Sequence, residues 1–147
     1  MTRATIRLRE YQSAADLRAA LRKFLRVSER AARKHGLTQQ RHLLLLMIKG
    51  APDGTERSTV SELSERLQLA QSTVTELLGR AEVAGLVSRE ASRDDGRVVF
   101  FSLTPEAERR LAAVVLDLRS ERDALARIVA ALGASSLGDE LDVDRVH

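Results

Sequence analysis

The sequence has no cysteine, only two prolines and only 3% aromatic residues. Without cysteine the chain can form no disulfide, thiolate zinc site, thiol redox sensor or cysteine nucleophile. It contains no run of about 20 apolar residues, so no transmembrane helix is expected. Its first residues lack the apolar stretch of a secretory signal. Together these absences favour a cytoplasmic protein.

The 147 residues fit one domain with a buried core. The net charge of +3 and the pI near 9.9 favour a nucleic-acid partner, but the charge is unevenly distributed. Residues 1–41 carry +8 and residues 42–147 carry −5. A DNA-contacting element beyond residue 41 must therefore be identified from its residue pattern rather than from net charge.

Two helices are predicted in the first third of the chain. Apolar residues at three- and four-residue spacing predict an amphipathic helix over residues 13–34, which Gly36 ends. Thr38 is positioned to cap the second helix, whose residues 43–48 are apolar on all sides, as in a buried helix. Residues 50–58 contain proline, aspartate and glycine and are predicted to form a loop.

A pair of short helices is predicted next. Residues 59–62, Thr-Val-Ser-Glu, form a capping box that begins the first helix. A tight connection at residues 68–70 leads to the second helix, over about residues 71–84, which Gly85 ends. The apolar residues expected to hold this pair together are Leu63, Leu67, Leu69, Val74 and Leu77.

The second helix of the pair leaves polar side chains exposed in its first turns, namely Gln71, Ser72, Thr73, Thr75 and Glu76. Hydroxyl and amide groups there can approach base edges or phosphates, and a helix N-terminus attracts phosphate. A capped surface helix with ordinary polar residues would show the same pattern. The helix pair alone therefore leaves both interpretations open.

A β-hairpin is predicted after the helix pair. Residues 86–90 and 98–103 form its strands, and the turn-rich residues 92–97 separate them. A protruding Arg93 or Arg97 can enter a narrow minor groove, and a nearby carboxylate such as Asp95 can hold the guanidinium. The alternative for an isolated hairpin is a solvated polar turn.

The last helix is predicted to begin after Thr104, with Pro105 in its first position, and to run to about residue 132. Its apolar residues alternate steps of four and three, which is typical of a coiled-coil seam. Little of its own domain remains to cover this seam, so a dimer is expected, although an intramolecular core would show the same spacing. Gly133 and Gly138 interrupt the pattern, and residues 133–147 are predicted to be a flexible tail.

The order of these elements resembles the MarR family of dimeric winged helix-turn-helix transcription regulators. Residues 72–75, Ser-Thr-Val-Thr, resemble the start of the family's recognition helix, and residues 84–87, Ala-Gly-Leu-Val, resemble its approach to the wing. Residues 95–97, Asp-Gly-Arg, followed by residues 101–104, Phe-Ser-Leu-Thr, are similar to the wing signature, with phenylalanine in place of valine. The resemblance extends from residue 10 to about residue 132.

The resemblance implies a mainly α fold with a small β-hairpin wing (α+β), within a single domain of residues 1–147. The winged helix-turn-helix of residues 37–103 would lie between dimerisation helices at about residues 10–36 and 104–132. The resemblance also implies a homodimer that binds double-stranded DNA at a near-palindromic operator. Such a regulator would be a repressor released by a small phenolic or anionic effector. The lack of cysteine and of a tight ligand cluster predicts no metal or other cofactor.

The pattern and the resemblance together predict three sets of functional residues. The DNA-binding set is Gln71, Ser72, Thr73, Thr75, Arg80, Arg93, Asp95 and Arg97. Within it, Arg97 would enter the minor groove and Asp95 would orient its side chain. The dimerisation set is Leu17, Leu21, Leu111, Val115, Leu118, Leu125 and Val129. The ligand-pocket set is Tyr11, Phe24, His42 and Met47.

Three features depart from the family pattern. Gln68 stands where helix-turn-helix motifs often have glycine, so a slightly different turn is expected. Glu76 stands where the family often has a basic residue; a carboxylate can accept from cytosine N4, but phosphate repels it. The family has a further helix where only a short acidic tail is predicted here.

The same residues bear on other possible functions. No nucleophile motif or glycine-rich phosphate loop is present, so an enzyme is not expected. The three histidines, His35, His42 and His147, form no tight ligand cluster, which argues against metal sensing. The first helix carries a row of four arginines, namely Arg18, Arg22, Arg26 and Arg30. Three interpretations stay open for this row: a solvated face, contact with phosphates beside the operator, or binding of an anionic ligand. A winged-helix protein-interaction module and a ligand-independent architectural DNA binder stay open as alternatives.

Overall fold

The computed structural model describes residues 4–143, with side chains described as far as residue 134. The described helices and strands are α1 (Leu8–Lys34), α2 (Gln39–Lys49), β1 (Arg57–Ser58), α3 (Val60–Leu67), α4 (Gln71–Val83), β2 (Val87–Ala91), β3 (Val99–Leu103), α5 (Pro105–Asp117) and α6 (Arg119–Val143). The chain divides into a helical unit, Met1–Ser28 with Leu118–His147, and a winged unit, Glu29–Asp117. None of the described helices is long and apolar enough to cross a membrane.

Three helix ends within the winged unit have the same geometry. α1, α3 and α4 are followed by Gly36, Gln68 and Gly85, each with a positive φ angle. In each case the next backbone N–H donates to the carbonyl five residues before it, over 2.9, 3.2 and 2.9 Å. The predicted helix ends at Gly36 and Gly85 are confirmed. Gln68 adopts the left-handed conformation that glycine adopts at lower cost, so the turn keeps the usual geometry.

Threonine hydroxyls begin the helices as predicted. The Thr38 hydroxyl accepts from the N–H of Arg41 at 3.2 Å and caps α2. The Thr59 hydroxyl accepts from the N–H of Glu62 at 3.2 Å and also donates to the Glu62 carboxylate at 3.0 Å. In this capping box the Glu62 carboxylate therefore accepts from the Thr59 hydroxyl. In the usual motif the glutamate carboxylate accepts from the backbone N–H of the N-cap residue.

The sheet has three antiparallel strands in the order β1-β3-β2. The predicted hairpin is confirmed, with Val87 opposite Leu103 and Ala91 opposite Val99. The prediction of an unbroken loop over residues 50–58 is wrong, because the β1 residues Arg57–Ser58 pair with β3. A strand of two residues is too short to show an alternating pattern in the sequence.

The core of the winged unit surrounds α2, which contacts α3, α4, α5, β1 and β3. This position explains why residues 43–48 of α2 are apolar on all sides. The largest fully buried side chains of the chain are Leu37, Leu44, Leu45, Ile48, Leu63, Val74, Leu78, Leu86 and Val114. The predicted mainly α fold with a small β wing is confirmed.

The predicted single last helix is wrong. It consists of α5 and α6, which are separated at Leu118, so the further helix that the family resemblance called for is present. α6 continues through Gly133 and Gly138 to Val143. Glycine in a helix costs only about 1 kcal/mol relative to alanine, which the surrounding helix-forming residues outweigh. Helix therefore replaces the predicted tail over residues 133–143, and residues 144–147 lie outside the described residues.

The dimerisation set also needs correction. Leu111 and Leu118 are only 3% and 4% exposed in the single chain, so they offer no surface to a second copy. Leu111 lies on α5, which packs against α2 and β3 and belongs to the winged unit. For this part of the seam the intramolecular alternative holds. Leu17, Val115 and Leu125 are half-buried, whereas Leu21 and Val129 are exposed.

Candidate nucleic-acid interface

The helix α4 presents a polar face to solvent because its apolar residues are turned inward: Val74, Leu77, Leu78 and Ala81. Of the predicted DNA-binding residues on this helix, Gln71, Ser72, Thr75 and Arg80 are exposed and Thr73 is half-buried. The buried stripe thus fixes which side chains of α4 can reach a partner. Four of the five predicted residues satisfy that requirement.

Hydrogen bonds hold part of this polar face in place. The Gln71 side-chain amide donates to the Ser61 hydroxyl at 3.1 Å and joins the start of α4 to α3. The Thr75 hydroxyl donates to the backbone carbonyl of Gln71 at 2.9 Å, which leaves its lone pairs available to accept. Ser72 makes no side-chain hydrogen bond to any other residue of the described part of the chain.

The acid and the base on the exposed side of α4 form an ion pair. A guanidinium nitrogen of Arg80 lies 2.5 Å from a carboxylate oxygen of Glu76, at a spacing of four residues along the helix. The sequence predicts a phosphate contact for Arg80, and Glu76 departs from the family pattern. The pair carries no net charge, so neither side chain acts as an isolated ion at this surface.

The tip of the wing is ordered by backbone contacts. The Asp95 carboxylate accepts from the backbone N–H of Arg97 at 3.0 Å, and the Ser92 hydroxyl accepts from the N–H of Asp94 at 3.3 Å. The predicted pairing of Asp95 with the Arg97 guanidinium is therefore wrong, because the short aspartate side chain caps the turn. Arg93 and Arg97 are exposed, and within residues 4–143 neither has an ion-pair partner.

Arg89 at the root of the wing was missed in the sequence. Its guanidinium donates to the Glu82 carboxylate through Nε at 2.9 Å and through the second terminal nitrogen at 2.8 Å. It also lies over the ring of Phe101, 5.5 Å from the centroid. The hydrogen bonds with Glu82 raise the pKa of Arg89. Residues 87 and 89 share one strand face, and Val87 is buried, so alternation could have indicated that Arg89 turns toward α4.

An open cleft of about 430 Å³ lies where α3, α4 and the wing meet. Its lining consists of Thr59, Val60, Ser61, Gln71, Thr75, Arg89, Arg97, Val98, Val99 and Phe101. The structure thus brings Arg97 of the wing together with Gln71 and Thr75, which lie one turn apart on α4 and far from Arg97 in sequence. The other predicted DNA-binding residues do not line the cleft: Ser72, Thr73, Arg80, Arg93 and Asp95.

The predicted ligand-pocket residues are divided between the two units. Tyr11 is exposed and Phe24 half-buried in the helical unit, and His42 is buried and Met47 half-buried in the winged unit. Burial lowers the pKa of His42. Its Nδ1 atom and the side-chain oxygen of Gln39, one helical turn away, find no hydrogen-bond partner among the described residues. The pocket itself stays a prediction.

Metal binding finds no support in the part of the chain that the structure describes. There, no group of three or more histidine, aspartate or glutamate side chains is arranged to hold an ion. The His35 imidazole is instead paired with the Asp117 carboxylate at 2.7 Å.

Sequence comparison relates part of the chain to known transcriptional regulators. Residues 35–98 match the sequence model of the MarR family. The organic hydroperoxide resistance transcriptional regulator of Bacillus subtilis (strain 168) is 36% identical over 73 residues, which are 50% of this chain and 47% of that protein. The match therefore spans about half the length of this relative.

Structural comparison extends the likeness over most of the chain. AbsC, a MarR family transcriptional regulator from Streptomyces coelicolor, has a TM-score of 0.68 at 19% identity, covering 95% of this chain and 99% of that one. A mutant of MarR from E. coli in complex with operator DNA has a TM-score of 0.64 at 19% identity, covering 87% and 89%. The structural likeness shows that the chain has the winged helix-turn-helix fold of these proteins, and within it residues 35–98 match the sequence model of the MarR family.

Proposed function

We propose that the protein is a sequence-specific DNA-binding transcription regulator that uses α4 and the wing. The observation that carries this proposal is the shared cleft, where Gln71 and Thr75 of α4 meet Arg97 of the wing. In winged-helix proteins the recognition helix enters the major groove, and a basic side chain can read the narrow minor groove beside it. That mode of binding requires the helix and the wing to lie side by side. The structure of the similar E. coli protein in complex with operator DNA supports DNA as the partner.

The charge of residues 59–104, which run from the start of α3 to the end of the wing, is compatible with DNA binding although acids outnumber bases there. Residues 59–104 contain five arginines and seven acids. The two acids of α4 are paired, Glu76 with Arg80 and Glu82 with Arg89. The exposed cations of the wing tip therefore face DNA without an acid from α4 competing for them. Because few phosphates would be contacted, a modest dependence of affinity on salt is expected.

We propose that the active form is a homodimer. α1 leaves Leu8, Tyr11, Leu21 and Leu25 exposed, and α6 leaves Ile128 and Val129 exposed. Monomeric soluble proteins rarely expose so much apolar surface in neighbouring turns of a helix, and a second copy would cover it. Two-fold symmetry would then present two α4 helices to a near-palindromic operator, about 34 Å apart.

We also propose that the dimer is a cytoplasmic repressor released by a small phenolic or anionic ligand. The family resemblance suggests this, and the buried polar atoms of Gln39 and His42 support a binding site for a polar group, since buried polar atoms are ordinarily paired. Benzoate and phenol serve as simple probes. We expect one of them to raise the melting temperature of the protein and to weaken its binding to the operator.

Selection from fragmented genomic DNA tests the proposed function. The full-length protein is incubated with the fragments at fixed salt, and the retained DNA is sequenced. We expect enrichment of a short inverted repeat. Retention without sequence preference, insensitive to both probes, would identify an architectural DNA binder. No retention at all would favour a winged-helix protein-interaction module, and either result would overturn the proposal.

A further inference from the structure

The face of α4 that points directly away from the core has an acid at its centre. With 100° between successive residues, the positions opposite the buried stripe are 72, 76, 79 and 83. They hold Ser72, Glu76, Gly79 and Val83, and the side chain of Val83 is 92% exposed. Nothing lies within 4 Å of the place where a Cβ atom of Gly79 would be. Glu76 is thus the longest polar side chain on this outward face, and its neighbour on the face, Gly79, has no side chain.

Arg80 holds Glu76 while leaving part of its carboxylate available. The contact at 2.5 Å involves one carboxylate oxygen, Oε1, and the side chain of Glu76 is still 61% exposed. A carboxylate accepts hydrogen bonds through both oxygens and donates none. The second oxygen is therefore not used by Arg80 and can accept from a partner, and the positive charge of Arg80 reduces the repulsion between Glu76 and DNA phosphates.

We infer that Glu76, positioned by Arg80, reads a cytosine in the major groove of each operator half-site. This inference rests on the proposed function, in which α4 enters that groove. There cytosine presents the N4 amino donor, guanine presents two acceptors, and thymine presents an acceptor and a methyl group. Adenine presents a donor beside the N7 acceptor, which repels a carboxylate. An acceptor-only side chain therefore fits cytosine best.

A different role for Glu76 makes a distinct prediction. If the carboxylate served only to weaken non-specific binding by repelling phosphates, its removal would raise the affinity for every DNA sequence by the same factor. Base reading instead predicts that the effect depends on one base pair in each half-site. The inverted repeat recovered by selection allows the two roles to be separated.

The test compares Glu76→Gln, Glu76→Ala and wild type in selections from randomised duplexes at one salt concentration. Glu65→Gln is the matched control, because it removes the same charge from an exposed side chain of α3. The wild type should select cytosine at one position of each half-site. Glutamine both donates and accepts, so Glu76→Gln should change that base to adenine, and Glu76→Ala should accept any base there. All other positions should be unchanged.

Titrations of the two operators that differ at this position give the magnitude. The wild type should prefer the cytosine operator by roughly fivefold to a hundredfold, and Glu76→Gln should reverse the preference. Equal strengthening on both operators, as expected for Glu65→Gln, would overturn the inference but leave the proposed function intact. If the wild type selects no inverted repeat, both are overturned.

Discussion

Glu82 and Arg89 join α4 to the wing through two parallel hydrogen bonds, at 2.9 and 2.8 Å. Glu82 lies near the end of α4 and Arg89 in β2, on the other side of the turn at Gly85. This pair is a direct side-chain link between the two elements that we propose contact DNA. Its effect should therefore appear in DNA binding more than in stability.

Breaking this link should weaken operator binding while the fold persists. Glu82→Gln removes the charge and one strong acceptor, so the wing is held less firmly beside α4 and the affinity should fall several-fold. Both side chains are partly exposed, so the melting temperature should change little. The charge-swapped double variant Glu82→Arg with Arg89→Glu should recover part of the affinity. If it binds no better than Glu82→Gln, the pair does not position the wing.

Replacing Gln68 with glycine should stabilise the protein. The left-handed conformation, φ 55° at Gln68, costs a residue with a side chain about 1–2 kcal/mol, and glycine avoids this cost. The lost hydrogen bond from the Gln68 amide to the Glu65 carbonyl, at 2.6 Å, offsets part of the gain. We expect a net gain of about 0.5–1 kcal/mol in the free energy of unfolding by urea. Gln68→Ala loses the hydrogen bond to the Glu65 carbonyl but keeps the cost of a left-handed residue with a side chain, so it should be less stable than wild type.

Gly79→Ala should separate stability from DNA binding. Open space surrounds the position, so alanine should stabilise α4 by about 0.5–1 kcal/mol. The added methyl group lies on the outward face and should lower operator affinity, because it separates the helix from the groove. Gly133→Ala in α6 is the control, with equal open space, and should stabilise without changing binding. Stronger operator binding by Gly79→Ala would show that this face does not contact DNA.

Burial of His42 should make stability depend on pH. Its pKa in the folded chain is lowered from the ordinary value of about 6.5, so as the pH falls through 6.5 the unfolded chain takes up the proton first. The free energy of unfolding should therefore decrease until the pH lies below the pKa of the folded state. Urea unfolding at several pH values measures this. The variant His42→Leu should lose this decrease in the free energy of unfolding, and the control variant His35→Gln should keep it. A decrease in His42→Leu equal to that of wild type would show that His42 does not cause the pH dependence.

Local chemistry explains which elements were predictable. The threonine caps and the helix ends at Gly36 and Gly85 depend on neighbouring residues, so they could be read from the sequence. The break at Leu118 could not, because no glycine or proline marks it and the apolar spacing of the seam continues across it. β1 was missed because its two residues become a strand only by pairing with β3.

The candidate site shows the same division. Burial of the apolar stripe predicts which polar residues of α4 are exposed, and the four-residue spacing of Glu76 and Arg80 allows their pairing to be anticipated. The contact between Glu82 and Arg89 depends on the path of the chain through the turn at Gly85. The geometry of the wing tip determines that the Asp95 carboxylate accepts from the backbone N–H of Arg97 and does not pair with its guanidinium. Such contacts require the three-dimensional structure.

We propose that the wing and α4 bind one operator together, and the variant Arg97→Ala provides the decisive test. Arg127→Ala is the matched control, since it removes an exposed arginine from α6. The recovered operator is titrated with each variant over a series of salt concentrations, while the mass of the free protein is monitored. We expect Arg97→Ala to weaken operator binding about tenfold while the mass of the free protein stays unchanged. The slope of the logarithm of affinity against the logarithm of salt concentration should become shallower by about one for each wing that loses its contact. Affinity equal to that of wild type and Arg127→Ala at every salt concentration would contradict it.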